Sequence, residues 1–143
     1  MKITKKAKAH WSGGLKDGKG TISLQSGAFE NQPYGFNTRF EDKAGTNPEE
    51  LIGAAHASCF TMAFSKILGE SDFIADDLNT EATVTLEKIN DGFSISKIDL
   101  VLDAKIGKID ETKFMELANM AKENCPISKL FKTEINLSAN LNK

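Results

Sequence analysis

The spacing of apolar positions divides the chain into alternating and helical stretches. Ile3, Ala7, Ala9 and Trp11 share one parity, and Ile22 and Leu24 follow after the turn-rich run 13–20. This predicts a hairpin with a glycine-rich loop. That loop lacks Walker spacing and opens no helix, so it is not a phosphate loop. Residues 26–46 hold Gly27, Pro33, Gly35 and Gly45 and show little period, which predicts an irregular crossing. A long helix is then announced by Asn47 as N-cap, Pro48 at the first helical position and Glu50 three residues after the cap. It runs through Leu51, Cys59, Phe60, Phe64 and Leu68, with Gly69 as the stop. Apolar or small residues occur nearly all round it, so it is expected to be buried on most faces. One chain of this size covers such a helix poorly, which favours an oligomer.

Ala82, Val84 and Leu86 alternate with polar neighbours as a strand, and Asn90-Asp91-Gly92 is a hairpin turn. The return strand places Phe93 and Ile95 on odd positions but Ile98, Leu100 and Leu102 on even ones, which predicts a bulge near Ser96-Lys97. A second helix is expected over 110–124, capped by Asp110, with Phe114, Leu117, Ala118 and Ala121 on one stripe. Pro126 breaks it, because the residue before proline avoids the α region. A short helix can restart there, and Ile135, Leu137, Ala139 and Leu141 alternate as a last strand. This order of elements is α+β with a mainly antiparallel sheet.

The chain has 143 residues and no repeat, low-complexity tract or linker, so a single domain over 1–143 is expected. A net charge of −2 gives no electrostatic case for nucleic acid or an anionic membrane. No uninterrupted apolar run reaches ~18 residues, and the basic N-terminus lacks the apolar segment of a secretory signal, so a membrane partner is not expected. Two cysteines make no disulfide scaffold, which points to a cytoplasmic, reducing compartment. With two His and no ligand pair at metal-binding spacing, no metal is expected.

Cys59 carries the sharper chemistry. In mid-helix the macrodipole helps it little, and apolar surroundings raise a thiol pKa, so reactivity requires an imported cation. Arg39 is the only arginine in the chain. Its planar fork suits simultaneous donation to a thiolate and to an oxygen leaving group. Glu49 stands ten residues from Cys59, ~15 Å along one helix, and cannot reach it there. A carboxylate positioning Arg39 beside Cys59 must then come from another part of the chain or from a second copy, as in an antiparallel pairing of two such helices. His56, three residues before Cys59, shares its helix face and is a candidate to tune the thiol. Cys125, at the helix break, is either a thiolate favoured by the amides ahead or a buried cap.

The run Gly45-Thr46-Asn47-Pro48-Glu49-Glu50-Leu51-Ile52-Gly53-Ala54-Ala55-His56-Ala57-Ser58-Cys59-Phe60 resembles the signature of the OsmC/Ohr family, the osmotically inducible and organic hydroperoxide resistance proteins. Asn124-Cys125-Pro126-Ile127-Ser128 and Gln32-Pro33-Tyr34-Gly35-Phe36-Asn37-Thr38-Arg39-Phe40 are similar to further parts of that pattern. The glycine-rich turn has no arginine, which matches the osmotically inducible branch. The resemblance implies an OsmC-like fold with a long buried central helix, in an intertwined homodimer with active sites at the subunit interface. It implies a thiol-dependent peroxidase for hydroperoxides in oxidative and osmotic stress. Cys59 would be the attacking thiolate, Cys125 the resolving thiol, and Arg39 with Glu49 would complete the site. Phe36 and Phe40 are candidates for an apolar pocket wall or plain core. No bound cofactor is implied, only an external dithiol reductant, lipoyl-type in several members. The rival readings are a non-enzymatic binding protein, a disulfide reductase or thiol-transfer protein, which the lack of a Cys-x-x-Cys pair disfavours, and a redox sensor using the same cysteine pair.

Overall fold

The structure, a computed structural model, describes residues 1–131 and 134–142. Its contacts divide into two compact units, 1–51 and 52–143.

The first unit holds β1 (Ala7–Ser12), β2 (Lys19–Leu24) and β3 (Gln32–Tyr34), an antiparallel sheet in that order. The predicted hairpin is β1–β2, but Ile3 lies outside it and is exposed. The loop turns through Gly13, whose φ of +92° suits a residue without Cβ. Gly20 lies where Trp11 and Tyr34 close over the strand, and a Cβ there would fall 2.5 Å from the Tyr34 ring. The stretch expected to be irregular is in part ordered, as β3 and the one-turn helix α1 (Phe36–Phe40). Thr38 organises that turn: its hydroxyl accepts from the Gly35 N–H at 2.9 Å and donates to the Gly35 carbonyl at 3.0 Å. Neither bond leaves a hydrophobic period in the sequence, which is why the pattern missed them. None of the buried apolar side chains among the described residues belongs to this unit.

The long helix α2 (Pro48–Glu70) begins as predicted. Asn47 Oδ1 accepts from the Glu50 N–H at 2.8 Å, and the Glu50 carboxylate accepts from the Asn47 side-chain amide at 2.6 Å. Its end differs from the expectation. Gly69 is helical, and the left-handed stop is Asp72, with φ +65°. Phe73 N–H donates to the Leu68 carbonyl and Asp72 N–H to the Gly69 carbonyl, the two bonds of a Schellman cap. A short acidic side chain tolerates that conformation. By length and mean hydropathy (1.3) α2 could cross a membrane, a property it shares with core helices of soluble proteins.

In the second unit, β4 (Ala75–Ile89) and β5 (Gly92–Ile106) form a long antiparallel hairpin around Asn90-Asp91. The register shifts where Thr85 pairs with Lys97 and Leu86 with Ile95, so the bulge falls at Ser96. Ile98, Leu100 and Leu102 then share the buried face. The helix α3 (Glu111–Asn124) starts at Asp110, whose side chain accepts from the Lys113 N–H at 2.7 Å. α4 (Pro126–Leu130) follows, and β6 (Glu134–Asn142) pairs with β5 in parallel. The crossover through α3 and α4 returns the chain to the same end of the sheet, which makes that pairing parallel. The core joins Phe60, Phe64 and Leu68 of α2, the even positions of β5, and Phe114, Leu117 and Ala121 of α3.

The expectation that α2 is buried on most faces is not met within one chain. Gly53, His56, Phe60, Phe64, Ile67 and Leu68 form one buried stripe, while Ala54, Ala55, Ser58 and Met62 stay exposed. A single sheet face and one neighbouring helix cover only one side of a helix.

Candidate active site

Cys59 lies on the stretch of α2 that faces α4, half-buried. Cys125 sits between α3 and α4 and is fully buried. Pro126 drives Cys125 out of the helical region, to φ −57° and ψ 125°. The backbone of Cys125 is held from both sides: its N–H donates to the Ala121 carbonyl at 2.9 Å, and its carbonyl accepts from the Lys129 N–H at 3.0 Å. This turn aims the Cys125 thiol at Cys59, and the two Sγ atoms lie 2.9 Å apart, both free. Residues 66 apart in sequence are thus in direct contact.

The Cys59 thiol is pushed above its ordinary value of 9.0. Burial is the main cause, and the contact with Cys125 adds to it. The Ile127 N–H donates toward the sulfur and acts the other way, more weakly. Burial in the second unit therefore favours the neutral thiol at Cys59. His56, expected as a possible tuning group, is not among the groups acting on Cys59. It is fully buried, and its Nε2 lies 2.8 Å from the Ser128 hydroxyl of α4. The Phe131 ring meets it edge-on at 5.5 Å. Burial pushes the imidazole below its ordinary value of 6.5, so it is neutral near pH 7. This His56–Ser128 bond went unread in the sequence. The signal was there: His56 is three residues before Cys59, and Ser128 three after Cys125.

Arg39 and Glu49 meet in the first unit. Arg39 Nε donates to both Glu49 oxygens, at 3.1 and 3.2 Å, and Nη2 donates to Oε1 at 2.7 Å. Glu49 is largely covered and Arg39 is about one-third exposed, with a side-chain exposure of 37%. The guanidinium also stands 5.3 Å from the Phe40 ring centroid, and Phe36 packs on Phe40 at 4.9 Å. Within one chain Phe36 is half-buried and Phe40 exposed. Among the described residues no three His, Cys, Asp or Glu side chains group as a metal site requires.

Residues 40–140 match the family described as OsmC-like protein. The chain is 51% identical over 141 residues to "Peroxiredoxin OsmC" of Escherichia coli, spanning 99% of each. The crystal structure of the organic hydroperoxide resistance protein OhrB of Bacillus subtilis is similar at TM-score 0.68 and 29% identity, over 96% of this chain and 98% of that one. An OsmC-like protein of Mycoplasma pneumoniae shares the fold at TM-score 0.76 and 16% identity, with all of both chains covered. On the motifs, the fold and this full-length similarity, the chain belongs to the OsmC/Ohr family.

Proposed function

We propose that this protein is a thiol-dependent peroxidase that reduces organic hydroperoxides, with Cys59 as attacking thiol and Cys125 as resolving thiol. The observation that carries the reading is the 2.9 Å contact between two free cysteines brought together from distant segments. Less than about 1 Å of movement closes it to a disulfide. The family's chemistry, seen in the names of its Escherichia coli and Bacillus subtilis relatives, supports the same assignment.

The Cys59 thiolate attacks one peroxide oxygen, the O–O bond breaks, and the second oxygen leaves as an alcohol once protonated. Cys59 becomes a sulfenic acid. Cys125 then attacks the sulfenic sulfur, its proton leaves with the hydroxyl as water, and the disulfide forms. An external dithiol restores both thiols by exchange and is itself oxidised to a disulfide. Because burial disfavours the Cys59 thiolate, the first step needs a cation. Arg39, oriented by Glu49, supplies it: two of its nitrogens hold the carboxylate, and the remaining N–H groups are left to donate to the thiolate and the departing oxygen. Phe36 and Phe40, beside that guanidinium, form an apolar wall suited to an alkyl chain.

Ten residues of α2 separate Glu49 from Cys59, so the cation comes from a second copy and the site is completed at a homodimer interface. Two features support this. The Ala54, Ala55, Ser58 and Met62 face of α2 is exposed among the described residues, and the first unit buries no apolar side chain of its own. Reduced cysteines as the working form fit the cytoplasm.

A thiol count tests the function. One equivalent of an alkyl hydroperoxide should remove both free thiols within seconds in the reduced protein and neither in Cys59→Ser. Two thiols persisting in the wild type would refute the peroxidase reading and favour a binding protein.

A further inference from the structure

Two side-chain contacts join α2 to the segment that starts α4. One is Cys59–Cys125, with 2.9 Å between sulfurs. The other is His56–Ser128, with 2.8 Å between Nε2 and Oγ. On α2 the histidine comes three residues before its cysteine, and on α4 the serine comes three residues after. The contacts are therefore successive rungs between segments that run in opposite directions, about one helical turn apart. We propose that the His56–Ser128 hydrogen bond is a positioning device for the resolving step, holding Cys125 within reach of Cys59 so that the sulfenic acid is captured as a disulfide before it meets a second peroxide. The inference rests on the peroxidase reading and deepens it.

Three observations favour a positioning role over ordinary packing. First, His56 is completely buried, yet its Nδ1 has no hydrogen-bond partner among the described residues. An apolar residue would fill the space without stranding a polar atom, so the Nε2 contact is what the imidazole adds. Second, the bond joins elements 72 residues apart, and α4 is only five residues long. So short a helix has little stability of its own and takes its place from what grips it. Third, the grip is close to the reacting sulfur: only Pro126 and Ile127 separate Ser128 from Cys125.

The chemistry makes position decisive. The sulfenic acid on Cys59 has two fates. Condensation with the Cys125 thiol forms the S–S bond and releases water. Reaction with another hydroperoxide adds a second oxygen, gives sulfinic acid and an alcohol, and ends the cycle. The ratio of the two is set by how often Cys125 stands in contact.

The test follows oxidation of the reduced protein by alkyl hydroperoxide with rapid acid quench, thiol blocking and mass spectrometry. This separates loss of the Cys59 thiol from formation of the disulfide. Ser128→Ala should oxidise Cys59 at close to the wild-type rate but form the disulfide roughly tenfold more slowly, and should accumulate sulfinic acid in excess peroxide. Ser128→Thr, which keeps the hydroxyl, should restore capture. His56→Leu should match Ser128→Ala, and the double variant should be no slower than either. Disulfide formation at the wild-type rate in Ser128→Ala would overturn the proposal. So would equal slowing of both steps, which would mark a packing defect, or failure of Ser128→Thr to restore capture. If His56→Leu does not fold, the two Ser128 variants decide the matter. Absence of any disulfide in the wild type would instead refute the peroxidase reading itself.

Discussion

Arg39→Lys keeps the positive charge and removes the fork. In the wild-type chain Nε and Nη2 of Arg39 make three contacts with Glu49, at 2.7, 3.1 and 3.2 Å. A guanidinium has five N–H groups, so with Nε–H and one Nη2–H engaged, three remain on the opposite edge for a thiolate and an oxygen. A lysine ammonium concentrates its donors at one point and cannot grip the carboxylate from one edge while offering the other. Losing one preorganised donor to developing negative charge costs ~10²–10³ in rate in the best-ordered sites. Arg39 is 37% exposed and so only partly preorganised, which lowers the expectation to a loss of about 10- to 100-fold, or ~1.4–2.7 kcal/mol. The assay is the second-order rate of Cys59 oxidation in the first turnover, read by quench and thiol blocking. Glu49→Gln should slow the same step, more mildly, because the arginine stays but loses its charged anchor. An Arg39→Lys rate within twofold of wild type would show that charge alone suffices, and the argument from the fork would fail.

Cys125→Ser should complete one oxidation and stop, leaving a sulfenic acid that a dimedone-type probe captures; repeated turnover with a dithiol would remove Cys125 from the resolving role. Burial holds His56 neutral in the folded chain and an unfolded histidine protonates near 6.5, so the unfolded state binds the extra proton as pH falls. Stability should therefore be complete above about 6.5 and decline below it, a trend His56→Gln should flatten; urea midpoints at pH 7.5 and pH 5.5 would show it, and equal slopes in both proteins would sink it. Met62→Asp on the exposed face of α2 should weaken the dimer, seen as a shift in sedimentation toward the 15.6 kDa monomer at micromolar protein; an unchanged profile in a dimeric wild type would move the interface elsewhere.

Local pattern carried most of the elements. The Asn47-Pro48-Glu50 start, the Asp110 cap, the turn at Asn90-Asp91 and the bulge at Ser96 are all written in adjacent residues, because caps, turns and phase slips are short-range chemistry. The Asp72 cap was missed because glycine is the commoner left-handed residue and Gly69 stood nearby. The Thr38-centred turn was missed because side-chain to backbone bonds leave no hydrophobic period.

The same division holds for the site. The resemblance of the motifs to the OsmC/Ohr pattern pointed to Cys59, Cys125, Arg39 and Glu49, and elementary electrostatics said that a thiol in mid-helix must import its cation. Only the tertiary structure decided that Cys125 meets Cys59, that Arg39 is gripped through Nε and Nη2, and that His56 turns to Ser128 instead of acting on the thiol. The Cys59–Cys125 and His56–Ser128 contacts depend on how a β5–α3–α4–β6 crossover lays a proline-broken turn against the middle of α2. Contacts between residues 66 and 72 apart are set by the packing of whole elements, which no window along the chain contains.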